Sequence, residues 1–110
     1  MQYRSNAYKV TMIFPKKYKG GKTISASVLD AMTTEFREIV ASWKSGFTEI
    51  PVRGEWRNEK DDDSSMYFLT VSTLDRVEQL RNFVRKWRDP LGQETMYFDY
   101  HPVHFELVID

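Results

Sequence analysis

Cysteine is absent from the 110-residue sequence, which also has only five glycines, four prolines and two histidines. Without a thiol, the chain cannot form a disulfide framework, a thiolate zinc site, an iron–sulfur cluster or a cysteine nucleophile. No apolar run approaches the roughly 18 residues of a membrane-spanning helix, so we expect no association with a membrane. The first residues lack the apolar core and cleavage site of a signal peptide, which predicts a cytoplasmic protein.

An excess of charge of one sign is also lacking, because sixteen basic residues balance sixteen acidic ones. Hydrophobic residues make up 41% of the sequence and aromatic residues 15%, which is enough for a core that needs no structural metal. Neither an internal repeat nor a Pro/Ser-rich linker divides the sequence. We therefore predict one domain over residues 1–110.

The balanced charge is unevenly distributed along the chain. Residues 1–22 contain six basic and no acidic side chains, whereas residues 93–110 contain four acidic side chains and no Lys or Arg. Such a separation can steer a partner or orient self-association. It can equally reflect basic and acidic side chains that pair across neighbouring strands of a solvated sheet.

The first half of the sequence predicts a strand, a loop and a helix. Apolar and polar residues alternate over residues 7–14, as in a half-buried strand, and a lysine-rich loop follows. A helix is predicted to begin after an N-cap at Ser25 or Ser27 and to end at Lys44, with Gly46 as the residue beyond its end. Its apolar stripe comprises Leu29, Met32, Phe36, Ile39, Val40 and Trp43.

The middle of the sequence predicts a hairpin. Residues 47–56 form an extended segment in which Pro51 requires an edge position or a bulge, because proline has no N–H to donate. The polar residues 57–65, which include the acidic run Asp61–Asp63, predict a solvated connection. A second extended segment follows over residues 66–72.

The last third predicts a second helix and more strand. The helix begins after Thr73 or Asp75 and is broken at residues 89–92. Two extended segments follow over residues 94–100 and 103–109, separated by the dipeptide His101-Pro102. The apolar stripe of the helix comprises Leu74, Val77, Leu80, Val84 and Trp87.

The order of these elements predicts the fold class. A duplicated strand–helix–strand unit of this size indicates an α+β fold of the ferredoxin-like type, a split βαβ sandwich. The expected architecture is βαββαβ plus a short C-terminal strand, with an antiparallel sheet and two helices on one face.

A weak family resemblance accompanies this pattern. Gly46-Phe47-Thr48, then Gly54-Glu55-Trp56, an acidic turn, a strand and finally Gln93-Glu94 resemble a loose group of small uncharacterised bacterial proteins over about residues 8–108. Ser45-Gly46 stands where that group has two glycines. The group has no established activity, so the resemblance implies a fold and a single domain but no function.

Two basic segments are candidate anion-binding or nucleic-acid-binding sites. The loop around Gly20-Gly21 could cradle a phosphate, although it lacks the glycine spacing of a P-loop. The sequence contains no RNP1-like segment, and its zero net charge argues against a strong phosphate footprint. The candidate residues are Lys16, Lys17, Lys19 and Lys22 of the loop, and Arg81, Arg85 and Arg88 of the second helix.

Aromatic residues and the two histidines suggest a pocket for a small apolar ligand. Trp56, Tyr97 and Tyr100 are the candidate ligand-binding residues. His101 and His104 are weak candidates for a catalytic base. Two histidines three residues apart do not make a metal site without a further ligand, and the acidic run lacks the Gly and Glu of an EF-hand. We therefore expect no metal and no cofactor.

These observations leave several functions open. The leading hypothesis is a non-enzymatic binding or self-association module, a homodimer that uses an aromatic sheet face to contact itself or a protein partner, because large exposed apolar patches are unfavourable in water. The alternative is a dimeric α+β-barrel enzyme acting on a small apolar molecule, which requires an inward-facing histidine. Nucleic-acid binding through the lysine loop and the second helix is the weaker alternative.

Overall fold

The computed structural model describes residues 2–18, 20–56 and 59–108, and side chains within 6–18, 20–53 and 64–108. Two helices cover one face of a four-stranded antiparallel sheet, whose strand order is β2-β3-β1-β4. The ferredoxin-like α+β prediction is confirmed. The elements in chain order are β1 (Gln2–Pro15), α1 (Ala26–Ser42), β2 (Thr48–Trp56), β3 (Glu59–Val71), α2 (Leu74–Arg88) and β4 (Tyr97–Val108).

The last strand differs from its prediction. The structure has one continuous strand, β4, where the sequence predicted two strands separated at His101-Pro102. Pro102 pairs with Tyr8 in register with its neighbours. A proline is tolerated there because β4 lies at the sheet edge, where a missing N–H need not interrupt a ladder.

The hairpin between β2 and β3 is also longer than predicted. The acidic run Asp61–Asp63 belongs to β3 and is not a solvated connection, because pairing continues as far as Trp56 and Glu59. Pro51 lies on the edge strand β2, and the register shifts between Val52 and Gly54. The predicted edge position of this proline is therefore confirmed.

Two-stranded ribbons project beyond the sheet at both ends. Residues 2–7 of β1 pair only with residues 103–108 of β4, because β3 begins to pair with β1 at Tyr8. The chain measures 51 × 28 × 24 Å, and its radius of gyration is 15.4 Å. A compact chain of this length would have a radius of gyration of roughly 13 Å. The basic and acidic ends of the sequence are thus neighbouring strands.

The core lies between the sheet and the helices. One ring cluster dominates it: Phe36 makes edge contacts with Phe47 and Tyr67 at centroid distances of 4.8 and 5.2 Å, and Phe14 contacts Phe83 at 5.8 Å. The predicted helix stripes are largely confirmed by burial of Met32, Phe36, Val40, Val77, Leu80 and Val84. Neither described helix is both long and apolar enough to cross a membrane.

A predicted pH dependence follows from Tyr67 in this cluster. Burial, reinforced by the Glu49 carboxylate, raises the pKa of Tyr67 to about 12. The unfolded chain releases this proton near pH 10, so stability is intact below pH 10 and falls as the pH rises towards 12. We expect a loss of about 2 to 3 kcal/mol. Urea unfolding across this range should show a smaller loss for Tyr67→Phe, and equal losses in the two proteins would contradict the prediction.

The connection between α2 and β4 offers a stability test at Gly92. This glycine has φ +62°, and an added Cβ would lie 2.7 Å from Cδ1 of Tyr18. Gly92→Ala therefore combines a left-handed backbone with a steric clash, and we expect a loss of about 2 kcal/mol. The matched control is Gly46→Ala, because nothing lies within 4 Å of a Cβ there. Equal unfolding midpoints in urea for the two variants would contradict this expectation.

Candidate functional site

An open cleft of about 480 Å³ lies between α2 and the edge strand β4. Small-molecule sites in proteins commonly have volumes of about 300 to 1,000 Å³. We call it the α2–β4 cleft. Its lining residues are Arg81, Val84, Arg85, Met96, Phe98, Asp99 and Tyr100.

Local geometry explains why these side chains meet. Arg81, Val84 and Arg85 have the three- and four-residue spacing that places side chains on one helix face. Phe98 and Tyr100 are two residues apart in β4, so both point towards the helices. No described strand lies beyond β4, and Tyr100 stays 41% exposed. The helix and the edge strand thus leave an open, aromatic-floored groove.

The two arginines of the cleft differ in their charge balance. Arg81 forms an ion pair with Glu78, and its guanidinium lies 5.5 Å from the ring centroids of both Phe98 and Tyr100. Arg85 donates to the neutral side-chain oxygen of Asn82 at 3.3 Å and forms no ion pair with any described carboxylate. The cleft therefore combines the Arg85 cation with two aromatic rings, tilted by 53° to each other, beside the Arg81 guanidinium. Asp99 also lines the cleft, but by strand register its side chain lies on the opposite face of the sheet, where Tyr97 donates to it.

The two predicted ligand-binding tyrosines do not form one site. Tyr97 and Tyr100 are three residues apart in β4, so they lie on opposite faces of the sheet. Tyr97 donates to Asp99, and this hydrogen bond, reinforced by the carboxylate charge, raises the pKa of Tyr97. The side chain of Trp56 lies outside the described residues. Of these two tyrosines, only Tyr100 lines the cleft.

The two histidines also lie on opposite faces, and neither is buried. His104 contacts the Asn6 amide oxygen at 3.1 Å and a Glu106 carboxylate oxygen at 3.6 Å, and its side chain is 56% exposed. His101 is exposed opposite Lys9. No group of three metal-ligating side chains occurs in the part of the chain with described positions.

The lysine loop is held against the end of α2. The Tyr18 amide donates to the Lys22 carbonyl at 2.7 Å, and the Gln93 side chain donates to the Lys17 carbonyl at 3.1 Å. Lys17 and Lys22 are exposed, Lys16 is half-buried, and Lys19 lies outside the described residues. Arg88 is 3.5 Å from Asp89 and does not line the cleft. The described basic candidates thus divide among the loop, the cleft and the end of α2.

The sheet face opposite the helices carries a second candidate surface, which we call the outer face. Ile50 and Tyr97 are 37% and 51% exposed there, and Lys9 lies 4.9 Å above the ring of Phe68. One carboxylate oxygen of Asp99 is shielded from solvent but has no described hydrogen-bond partner. By strand register the outer face comprises Ala7, Lys9, Thr11, Ile13, Thr48, Ile50, Val52, Ser64, Met66, Phe68, Thr70, Tyr97, Asp99, His101, Val103 and Phe105.

Comparison with known proteins shows similarity in fold. No protein-family model matches this chain, and no curated protein matches its sequence. The PII-like nitrogen regulatory protein CPII from Thiomonas intermedia K12, bound to ADP, AMP and bicarbonate, is 11% identical with a TM-score of 0.64, over 97% of this chain and 100% of that one. A phage SAM lyase in complex with S-methyl-5'-thioadenosine is 9% identical with a TM-score of 0.61, over 96% and 92%.

A third similar structure is a putative PII-like signalling protein from Thermus thermophilus, 12% identical with a TM-score of 0.53, over 96% of this chain and 91% of that one. At such identities these likenesses show the fold alone. The resemblance to uncharacterised bacterial proteins stays a resemblance. The chain is therefore similar in architecture to small PII-like proteins of the ferredoxin-like α+β class.

Proposed function

We propose that this chain is a self-associating module that binds a small ligand, and that two copies meet through the outer face as a homodimer. The proposal rests on one observation, the uncovered apolar side chains of the outer face. Both helices pack on the other side of the sheet, so apolar side chains such as Ile13, Ile50 and Phe68 have no described covering element. A second copy would remove this surface from water.

The projecting ribbon supports self-association. A two-stranded ribbon is marginal on its own in water, yet residues 2–7 and 103–108 pair without a third strand. Leu107 is 54% and Val108 68% exposed on this ribbon. Contact with a second copy would shield these side chains.

The ligand-binding part of the proposal rests on the α2–β4 cleft. Two of the similar structures hold an adenine-containing ligand, either ADP and AMP or S-methyl-5'-thioadenosine. They show that this fold accommodates such molecules. The cleft in this chain has a suitable volume and polar groups at its rim. Self-association and ligand binding therefore use different surfaces.

The competing functions have less support. The enzyme hypothesis requires a histidine inside a pocket. His101 and His104 are exposed on opposite faces of the sheet and neither lines the α2–β4 cleft, although His101 belongs to the outer face and would meet the second copy. Nucleic-acid binding requires the lysine loop and the arginines of α2 to act as one surface, yet Arg81 and Arg85 line the cleft, whereas Arg88 does not. A cytoplasmic location, a protein partner and a single domain stay predictions.

Light scattering tests the self-association. We expect a particle of twice the 13.1 kDa chain mass for protein stripped of nucleic acid. The mass should be equal at roughly 0.05 and 0.5 M salt, because apolar contact is not screened as exposed charges are. A monomer at both salt concentrations would overturn the proposal, and an assembly that dissociates at high salt would replace it with a charge-driven contact.

A further inference from the structure

We infer that the α2–β4 cleft binds a small anion that carries a flat ring, of the mononucleotide class. This inference rests on the ligand-binding part of the proposed function and is independent of self-association. It assigns Arg85 to the phosphate and the group of Arg81, Phe98 and Tyr100 to the ring.

The charge of Arg85 supplies the first argument. Its guanidinium borders the cleft, is exposed, and is satisfied only by the neutral amide of Asn82. Arg81, by contrast, is already balanced by Glu78. A guanidinium offers a planar array of donors that matches phosphate geometry. The cleft therefore has one full positive charge available, which suits a terminal phosphate.

The ring surface supplies the second argument. The Arg81 guanidinium lies 5.5 Å from the ring centroids of both Phe98 and Tyr100, whose planes are tilted by 53° to each other, so a guanidinium and two aromatic rings border the cleft. Guanidinium planes and aromatic rings are the surfaces on which proteins stack nucleobases. Val84 and Met96 add apolar wall. A base could stack in this groove while its phosphate meets Arg85 one helical turn away.

The occupant follows from combining these features. A free phosphate would leave the ring surface unused, and a neutral apolar molecule would leave Arg85 unused. A long nucleic-acid strand needs a track of cations along its backbone, but the other arginine of the cleft is neutralised by Glu78. One ring with one phosphate group uses both Arg85 and the aromatic surface of the cleft.

Calorimetric titration of the full chain with AMP tests this inference. We expect Arg85→Gln to weaken AMP binding by at least about tenfold, since a charge-assisted hydrogen bond is lost. The matched control is Arg88→Gln, which makes the same charge change one turn further along α2, outside the cleft, and should stay within about twofold of the unmodified protein. A third variant, Tyr100→Leu, should weaken AMP binding but not the weak binding of inorganic phosphate.

Control ligands and a mass measurement define the results that would overturn the inference of AMP binding. Adenosine and inorganic phosphate should each bind more weakly than AMP, and equal affinity for adenosine and AMP would exclude a phosphate site. Absence of AMP binding, equal effects of the two arginine variants, or much tighter, salt-sensitive binding of an oligoadenylate would each overturn the inference. Light scattering of the Arg85→Gln protein should give the same mass as the unmodified protein. A failure to bind AMP would therefore not contradict self-association.

Discussion

Phe36→Ala is expected to lower the free energy of unfolding by about 3 to 5 kcal/mol. Phe36 is 2% exposed, and its ring contacts those of Phe47, Tyr67 and Phe83 within 5.8 Å. Truncation removes the ring and leaves a cavity whose walls belong to both helices and the sheet, so the surroundings cannot readily collapse into it. Domains of this size are stable by about 5 to 15 kcal/mol, so the loss is a large fraction of the total.

Urea unfolding of the purified variants measures this loss. The control is Leu74→Ala, at a position that the sequence assigns to an apolar stripe but the structure leaves 51% exposed at the start of α2. We expect Leu74→Ala to cost less than about 1 kcal/mol. Equal losses in the two variants would contradict the packing described for the core.

The core could be predicted because periodicity and burial have the same physical origin. Three- and four-residue spacing in the first helix predicts the burial of Met32, Phe36 and Val40, and the structure confirms it. Leu74 and Phe83 show the limit of this reasoning. Leu74 has the right spacing but occupies the first helical position, beyond the packed turn, whereas the buried Phe83 falls outside the predicted stripe.

Strand ends and helix ends were less predictable. The first helix ends at Ser42, and Lys44 with φ 53° takes the left-handed position that the sequence assigned to Gly46. The strands β3 and β4 continue through an acidic run and a proline, which local propensity disfavours. In both strands hydrogen bonding to a neighbour overrides the local preference, and the neighbour of β4 is distant in sequence.

The sequence predicts several residues of the cleft, but not that they form one site. The sequence identifies Arg81 and Arg85 as anion-binding candidates and Tyr100 as a ligand-binding candidate, but as separate hypotheses. The docking of α2 beside the edge strand unites them. The alternation of side chains along a strand would have shown that Tyr97 and Tyr100 lie on opposite faces, because they are three residues apart.

Phe68→Glu is expected to convert the proposed homodimer to a monomer at the same protein concentration. Phe68 lies on β3 in the outer face, paired with Thr11 and Thr48. The single chain tolerates the change, because the ammonium of Lys9 already lies 4.9 Å from the ring centroid and can pair with the new carboxylate. Burying that ion pair between copies would require desolvating both charges, at a cost of several kcal/mol.

The readout is the mass by light scattering, with far-UV circular dichroism to verify the fold. We expect the dissociation constant to rise at least about 100-fold, equivalent to about 2.7 kcal/mol. Thr34→Glu makes the same charge change on the exposed side of α1 and should leave the mass unchanged. If the folded Phe68→Glu protein kept the unmodified mass, the outer face would not be the contact. If instead the variant is monomeric, an AMP affinity equal to that of the dimer is expected, because the cleft is formed within one chain by α2 and β4.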